Sequence, residues 1–115
     1  MKYKIFELVG ENCVTLEDGE KIYGIIYPEL KVGNSVELDF NEVRIFASPF
    51  FNSAIGRLLK DIEPQSLNTQ LKFSSLSQVG KNILRQVISN SVKYYQDQKH
   101  RKAHDEVMKE MAEVN

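Results

Sequence analysis

The chain lacks several features that mark particular classes of protein. It has one cysteine, Cys13, so it cannot form an internal disulfide, which fits a reducing compartment. No stretch approaches the ~20 consecutive apolar residues of a membrane span. Residues 1–7 meet charges too early for a signal peptide. We therefore expect a cytoplasmic protein that does not cross a membrane.

An excess of charge of one sign is also missing. The formal net charge is −1, which gives no basic surface of the kind that binds nucleic acid. The basic cluster Lys99–Lys102 is followed by Asp105 and Glu106, a pattern typical of a solvated face. The glycine-rich loops that bind nucleotide phosphates are absent as well. We expect no nucleic-acid partner and no cofactor.

The first third of the chain carries mixed signals. β-Branched and aromatic residues predict a strand over Tyr3–Val9. From Thr15 onward, apolar residues recur near helical spacing, which favours a helix that Pro28 should end or kink. An alternative stays open, in which Asp18 and Gly19 form the turn of a hairpin.

The clearest pattern is a strand followed by a helix. Apolar and polar residues alternate from Ser35 to Phe40, which predicts a strand with one face on a core. A helix is predicted over Pro49–Asp61 with Ser48 as its N-cap, because proline suits the first helical position. Its predicted buried stripe consists of Phe51, Ile55, Leu58, Leu59 and Ile62.

Two adjacent phenylalanines, Phe50 and Phe51, open this helix. Neighbouring residues do not share one face of a helix, so we expect only one of the two rings in the core. The other ring is either folded against the neighbouring loop or exposed as an anchor, since aromatic residues are enriched at protein interfaces.

The rest of the chain predicts a polar loop over Gln65–Thr69, a strand over Leu71–Phe73 and a long helix over Ser77–Gln96. The order strand–helix, three times, predicts an α/β fold. We expect a small layer with a mixed, mostly parallel sheet, helices mainly on one face, and a long C-terminal helix. The domain spans 1–96, and 97–115 form a charged helical tail.

Few residues suggest catalysis. Asp39 and Glu42 are the only acidic residues near the end of the predicted strand, and no histidine or lysine accompanies them in a motif. Cys13 lacks a histidine partner that the sequence can identify and is interpreted as a small buried hydrophobe. His100 and His104 have a metal-ligand spacing, but the glutamate that usually follows the first histidine is absent. We therefore expect no metal.

A family resemblance rests on the central residues. Leu38-Asp39-Phe40, a serine just before a helix, and Ala54-Ile55-Gly56-Arg57-Leu58 resemble the bacterial STAS-like domain family of unknown function. More distantly, they resemble the STAS domains of anti-sigma factor antagonists. The resemblance covers roughly residues 13–95 and implies a protein-binding fold.

The resemblance also implies a position for regulation. STAS antagonists carry Asp-Ser-Ser-Gly between the strand and the helix, and a kinase of the GHKL ATP-binding class phosphorylates the second serine. Here the corresponding residues are Ala47-Ser48-Pro49-Phe50, so Pro49 stands at the phosphorylated position. Ser48 is the remaining hydroxyl, one residue earlier, and is interpreted either as a helix cap or as a phosphorylation site.

Three functional hypotheses follow. The first is a non-enzymatic regulatory module that binds a GHKL-type ATPase or a sensor kinase. Its interface would comprise Asn41, Arg44, Ser48, Pro49, Phe50 and Asn52. The second is a homo-oligomeric assembly module that pairs, as a homodimer, through the C-terminal helix, which truncation after Gln96 would test. The third is a small enzyme using Asp39 or Cys13.

Overall fold

The computed structural model describes residues 1–114, with side chains up to Asp97. It contains five strands, five α-helices and one 3₁₀-helix. In chain order these are β1 (Lys2–Lys4), α1 (Ile5–Val9), β2 (Asn12–Cys13), α2 (Leu16–Lys31), β3 (Val36–Asp39), β4 (Ile45–Phe46), α3 (Ser48–Ala54), the 3₁₀-helix (Gly56–Lys60), α4 (Pro64–Gln70), β5 (Leu71–Ser74) and α5 (Gln78–Val114).

The strands form two small parallel sheets. The main sheet has the order β1-β3-β5, and its register aligns Tyr3 with Leu38 and Leu38 with Phe73. Strands β2 and β4 form a second pair, in which Cys13 lies beside Phe46. The predicted α/β class, with mostly parallel strands and a long C-terminal helix, is confirmed.

The main sheet has one buried and one charged face. Val36 and Leu38 of β3 are buried, as is Phe40 just after it, whereas Glu37 and Asp39 between them are partly exposed. The ammonium of Lys2 lies 3.5 Å from Glu37 Oε2 and 3.9 Å from Asp39 Oδ2. The predicted alternation is confirmed, and its physical basis is that only one face of β3 is covered by the core.

Phenylalanine rings hold the centre of the core together. The rings of Phe46 and Phe51 are stacked, with centroids 5.9 Å apart and planes within 7°. Phe40 lies 6.1 Å from Phe51 and 6.3 Å from Phe73, at tilted angles. These spacings are those of favourable aromatic pairs. The cluster therefore joins β3, β4, β5 and α3 through direct ring contacts.

Helix α2 confirms the helical interpretation of its segment and excludes the hairpin. Thr15 is its N-cap, and the Asp18 N–H donates to Thr15 Oγ1 at 3.1 Å. Pro28 does not end the helix, which continues to Lys31 and turns at Gly33, where φ is 89°. The backbone acceptor that Pro28 leaves without a donor belongs to exposed Gly24, where water can reach it.

The predicted strand over Tyr3–Val9 is wrong beyond Lys4. The last residue pair between β1 and β3 joins Lys4 to Asp39, where β3 itself ends. Residues after Lys4 therefore have no neighbouring strand to supply hydrogen bonds, and the chain forms α1 instead, with Ile5 fully buried.

The predicted loop over Gln65–Thr69 is also wrong, because these residues lie within α4. Pro64 is the first residue of this helix, where its missing N–H has no cost. The helix leads directly into β5, with the Leu71 N–H donating to the Leu67 carbonyl. Strand β5 ends at Ser74, and the next residue, Ser75, has a left-handed φ of 56°.

The stability of α2 should respond with opposite sign to alanine at its two glycines. A Cβ at Gly19 would overlap the Ser53 hydroxyl and the Phe50 carbonyl oxygen, whereas a Cβ at Gly24 meets no atom within 4 Å. Gly19→Ala should lower the free energy of unfolding by about 1–3 kcal/mol. Gly24→Ala should raise it by roughly 0.5–1 kcal/mol. Urea denaturation measures both, and equal effects would contradict the close approach at Gly19.

Candidate functional site

Helix α3 is shorter than predicted and starts differently. Ala47, with extended φ of −143°, is its N-cap, and no side chain caps the helix. Ser48 is already the first helical residue, so its prediction as the N-cap is wrong. The helix ends at Ala54, and a 3₁₀-helix follows where Gly56 packs against Ser91 of α5.

Both phenylalanines of α3 are buried, which corrects the expectation that only one would be. Phe50 is 1% exposed and Phe51 is 0% exposed. The two rings meet edge to face at 5.4 Å. The helix lies between α2 on one side and the phenylalanine cluster on the other, so both of these faces are covered. Phe50 is therefore part of the core and does not present its ring to a partner.

The outward face of α3 carries the other three predicted interface residues of this helix. Ser48, Pro49 and Asn52 are exposed. Ser48 and Asn52 lie one helical turn apart and therefore share a face. Burial of Phe50, Phe51, Ser53 and Ala54 fixes this orientation, because these four residues attach the helix to the core.

Asn41 and Arg44 lie on the loop between β3 and β4, and both are exposed. The Asn41 N–H donates to Asp39 Oδ1 at 2.9 Å, which forms a local turn after the strand. The next residue, Glu42, has a φ of 71°, an uncommon value for a residue with a side chain. The N–H groups of Arg44 and Ile45 both donate to the Glu11 carbonyl, which ties this loop to the start of β2.

Two of the predicted interface residues, Asn41 and Asn52, line different depressions of the surface. Asn41 lines a cleft of about 210 Å³ at the carboxyl ends of β1 and β3. This carboxyl-end cleft is lined by Lys4, Phe6, Glu7, Asp39, Asn41 and Glu42. Asn52 lines a different groove of about 550 Å³ between α2, α3, the 3₁₀-helix and α5. The structure therefore does not bring Asn41 and Asn52 into one depression.

The groove beside Asn52 contains residues that the sequence interpretation missed. This Arg57 groove is lined by Leu16, Glu20, Asn52, Ser53, Gly56, Arg57, Asn90, Ser91, Tyr94 and Tyr95. The Arg57 guanidinium carbon lies 4.3 Å from the centroid of the Tyr23 ring, a cation–π contact. The sequence signal was the pair Tyr23 and Tyr27 at helical spacing, but nothing in it indicated that Arg57 would lie beside them.

A larger depression, of about 800 Å³, lies at the other end of the main sheet. Tyr27, Lys31 and Asp61 are among its lining residues, and none of the predicted interface residues lines it. The Tyr27 hydroxyl donates to Asp61 Oδ2 at 3.0 Å and accepts a hydrogen bond from Lys31 Nζ at 3.0 Å. These polar groups satisfy one another.

The two residues considered for catalysis have structural surroundings. Asp39 accepts a hydrogen bond from the Asn41 N–H and lies 3.9 Å from Lys2, and it lines the carboxyl-end cleft beside Glu7 and Glu42. Cys13 is fully buried. Burial, with a smaller contribution from the negative charge of Asp18, raises the pKa of the Cys13 thiol to about 12.

The described residues show neither a metal cluster nor a membrane-spanning helix. Among residues with described side chains, no group of three or more histidine, cysteine, aspartate or glutamate residues could hold a metal ion. His100, His104 and Lys99–Lys102 lie outside the described side chains. No helix of the described residues combines the length and apolarity that a membrane span requires.

The folded protein should protect Cys13 from thiol reagents. Because the thiolate is the reactive form, a pKa of about 12 leaves little of it at pH 8. The folded-state pKa lies above the ordinary value of 9.0, so the stability that the neutral thiol contributes is present below pH 9 and is lost as the pH rises toward 12. At pH 8, iodoacetamide should modify the native chain about a hundredfold more slowly than the urea-unfolded chain. Similar rates in the two states would contradict the buried position.

The comparison with known families agrees with the resemblance noted in the sequence. Residues 18–81, more than half of the chain, match the STAS-like domain of unknown function, DUF4325. This match begins in the first turn of α2, continues through β3, β4, α3, the 3₁₀-helix, α4 and β5, and ends in the first turn of α5. Neither a curated protein nor a solved structure matches the chain. The chain belongs to the STAS-like domain family of unknown function.

Proposed function

We propose that this protein is a non-enzymatic regulatory module that binds another protein through the outward face of α3. The observation that carries the proposal is the division of this short helix into two faces. Phe50 and Phe51 anchor it in the core, whereas Ser48, Pro49 and Asn52 stay exposed. A short helix held rigidly by buried aromatic residues presents its outer side chains in fixed positions, which lowers the entropy lost on binding.

The surface next to α3 contains an apolar side chain that supports this proposal. Ile45 of β4 is 54% exposed, although its neighbour Phe46 belongs to the core. Exposed Arg44 precedes it directly. An apolar residue beside an arginine matches the composition of interface centres, where arginine is enriched and water is excluded around apolar anchors.

Binding is favoured over catalysis because the two candidate catalytic groups are poorly placed for chemistry. The Cys13 thiol is enclosed in the core and stays protonated at neutral pH. Asp39 is held by the Asn41 N–H and by Lys2, which makes it a turn-stabilising carboxylate. General acid–base chemistry needs a titratable group that can reach a substrate. The buried Cys13 thiol cannot do so, and Asp39, although it lines the carboxyl-end cleft, already has Lys2 and the Asn41 N–H as partners.

The proposed partner is a GHKL-type ATP-binding protein or a sensor kinase. This class follows from the likeness of the chain to STAS antagonists, whose strand-to-helix junction contacts such a kinase. Pro49 occupies the position of the phosphorylated serine, so the binding mode proposed here does not depend on phosphorylation. Ser48 is exposed at the first position of α3 and keeps its hydroxyl accessible.

The interface can be tested with two substitutions to arginine. Asn52→Arg places a bulky charge on the outward face of α3. Ser89→Arg is the control, because it places the same side chain at an exposed position of α5 that is not among the predicted interface residues. Isothermal titration calorimetry against a GHKL-type ATPase from the same genome should show at least about tenfold weaker binding for Asn52→Arg. Ser89→Arg should bind like the unmodified chain.

The outcomes separate the surface from the partner class. If both variants bind the partner with the same affinity as the unmodified chain, the outward face of α3 is not the binding surface. Absence of binding by the unmodified chain to GHKL-type ATPases and sensor kinases would reject the proposed partner. Thermal unfolding of both variants serves as the folding control, since exposed substitutions usually change stability by less than about 0.5 kcal/mol.

A further inference from the structure

The Arg57 groove offers a recognition site that the α3 surface alone does not explain. Its base is formed by small residues: Ser53 is 4% exposed, and a Cβ added at Gly56 would lie 2.6 Å from Ser91 Oγ. The base of the groove is therefore closely packed. Asn52 lies on its wall, so the groove is continuous with the outward face of α3.

Arg57 is the positively charged residue that lines this groove, and a ring contact holds its side chain in place. Its guanidinium lies over the Tyr23 ring, which stacks on Tyr27 at 5.1 Å with planes 17° apart. Tyr27 is in turn held by its hydrogen bond to Asp61. When a guanidinium stacks on an aromatic ring, its N–H groups point outward in the plane of the guanidinium. They can then donate two parallel hydrogen bonds to one carboxylate.

Arg57 has no carboxylate partner at ion-pair distance within residues 1–97. Among the side chains up to Asp97, the ion pairs within 4 Å include those of Lys2 with Glu37 and with Asp39, and neither of these involves Arg57. Glu20 also lines the groove, so an anionic side chain lies on the same surface as Arg57 without forming either of these ion pairs. An exposed guanidinium that is rigidly stacked but not ion-paired is complementary to an incoming anion.

Other groups in the groove point to a peptide that carries a carboxylate. Asn90 Oδ1 accepts a hydrogen bond from Gln86 Nε2 at 3.1 Å, which leaves the amide N–H₂ of Asn90 as a donor. Apolar surface lies beside these donors, because Leu16 is 49% exposed and Tyr94 is 57% exposed. The groove thus combines hydrogen-bond donors for an acid with exposed apolar surface.

We propose that the Arg57 groove binds a segment of a partner protein in which an aspartate or glutamate lies next to an apolar side chain. The carboxylate accepts hydrogen bonds from the Arg57 guanidinium, and the apolar side chain packs against Leu16 and Tyr94. This inference rests on the proposed function and extends it, since it names the chemistry that the partner must present next to the α3 surface.

The test uses a phage-displayed library of random peptides selected on the full chain. The unmodified protein should enrich peptides that contain an acidic residue next to an apolar one. Synthetic versions of these peptides should bind Arg57→Glu at least about tenfold more weakly, the loss expected for a hydrogen-bonded charge contact. Lys60→Glu is the matched control, because Lys60 is an exposed cation of the same 3₁₀-helix that does not line the groove. It should retain the affinity.

Each outcome decides the proposal. Enriched peptides without acidic residues, no enrichment at all, or equal losses in Arg57→Glu and Lys60→Glu would overturn it. Arg57→Gln, which removes the charge without reversing it, should also lose binding, and its retention of affinity would count against the guanidinium contact. A negative result with the peptides would not contradict binding through the outward face of α3, because the calorimetric test with Asn52→Arg does not use the peptides.

Discussion

The close approach of α2 to α3 at Gly19 and Ser53 is the contact on which the functional surface depends. The Ser53 hydroxyl lies against Gly19 and donates to the Leu16 carbonyl at 2.8 Å, across the two helices. A larger residue at Gly19 would push α3 away and expose Phe50. Because this contact seats α3, it decides which of its residues are in the core and which remain outside. It also helps to shape the Arg57 groove, which lies between these two helices, the 3₁₀-helix and α5.

Patterns with a fixed period were predictable from the sequence, and contacts between distant segments were not. The alternation around Leu38 and the cap at Thr15 follow from local chemistry, and both are present. The strand over Tyr3–Val9 failed because its length depends on where β3 ends, which residues 3–9 cannot encode. The prediction that only one of Phe50 and Phe51 is buried was wrong for a related reason. Helix α3 packs on two sides and buries two faces, whereas the prediction assumed a helix with one buried face.

The candidate site was predicted in part for the same reason. The sequence identified the segment around Ser48 and Asn52, and both residues are exposed there. Arg57 entered the sequence interpretation only through the family resemblance. Its stacking on Tyr23 joins residues 34 positions apart and depends on the tertiary packing of α2 against the 3₁₀-helix. Local propensity carries no information on such a pair.

The two edge strands of the main sheet, β1 and β5, have a consequence for solubility. A parallel sheet of three strands has two open edges, and open edges invite other chains to add strands. Here β1 carries Lys2 and Lys4, so a second copy of this edge would bring like charges together. On the other side, α4 already uses the Leu71 N–H, and the left-handed Ser75 turns the chain away after four residues. The sheet can therefore stay small without growing into a fibril, and contacts with other proteins are left to the helical surfaces.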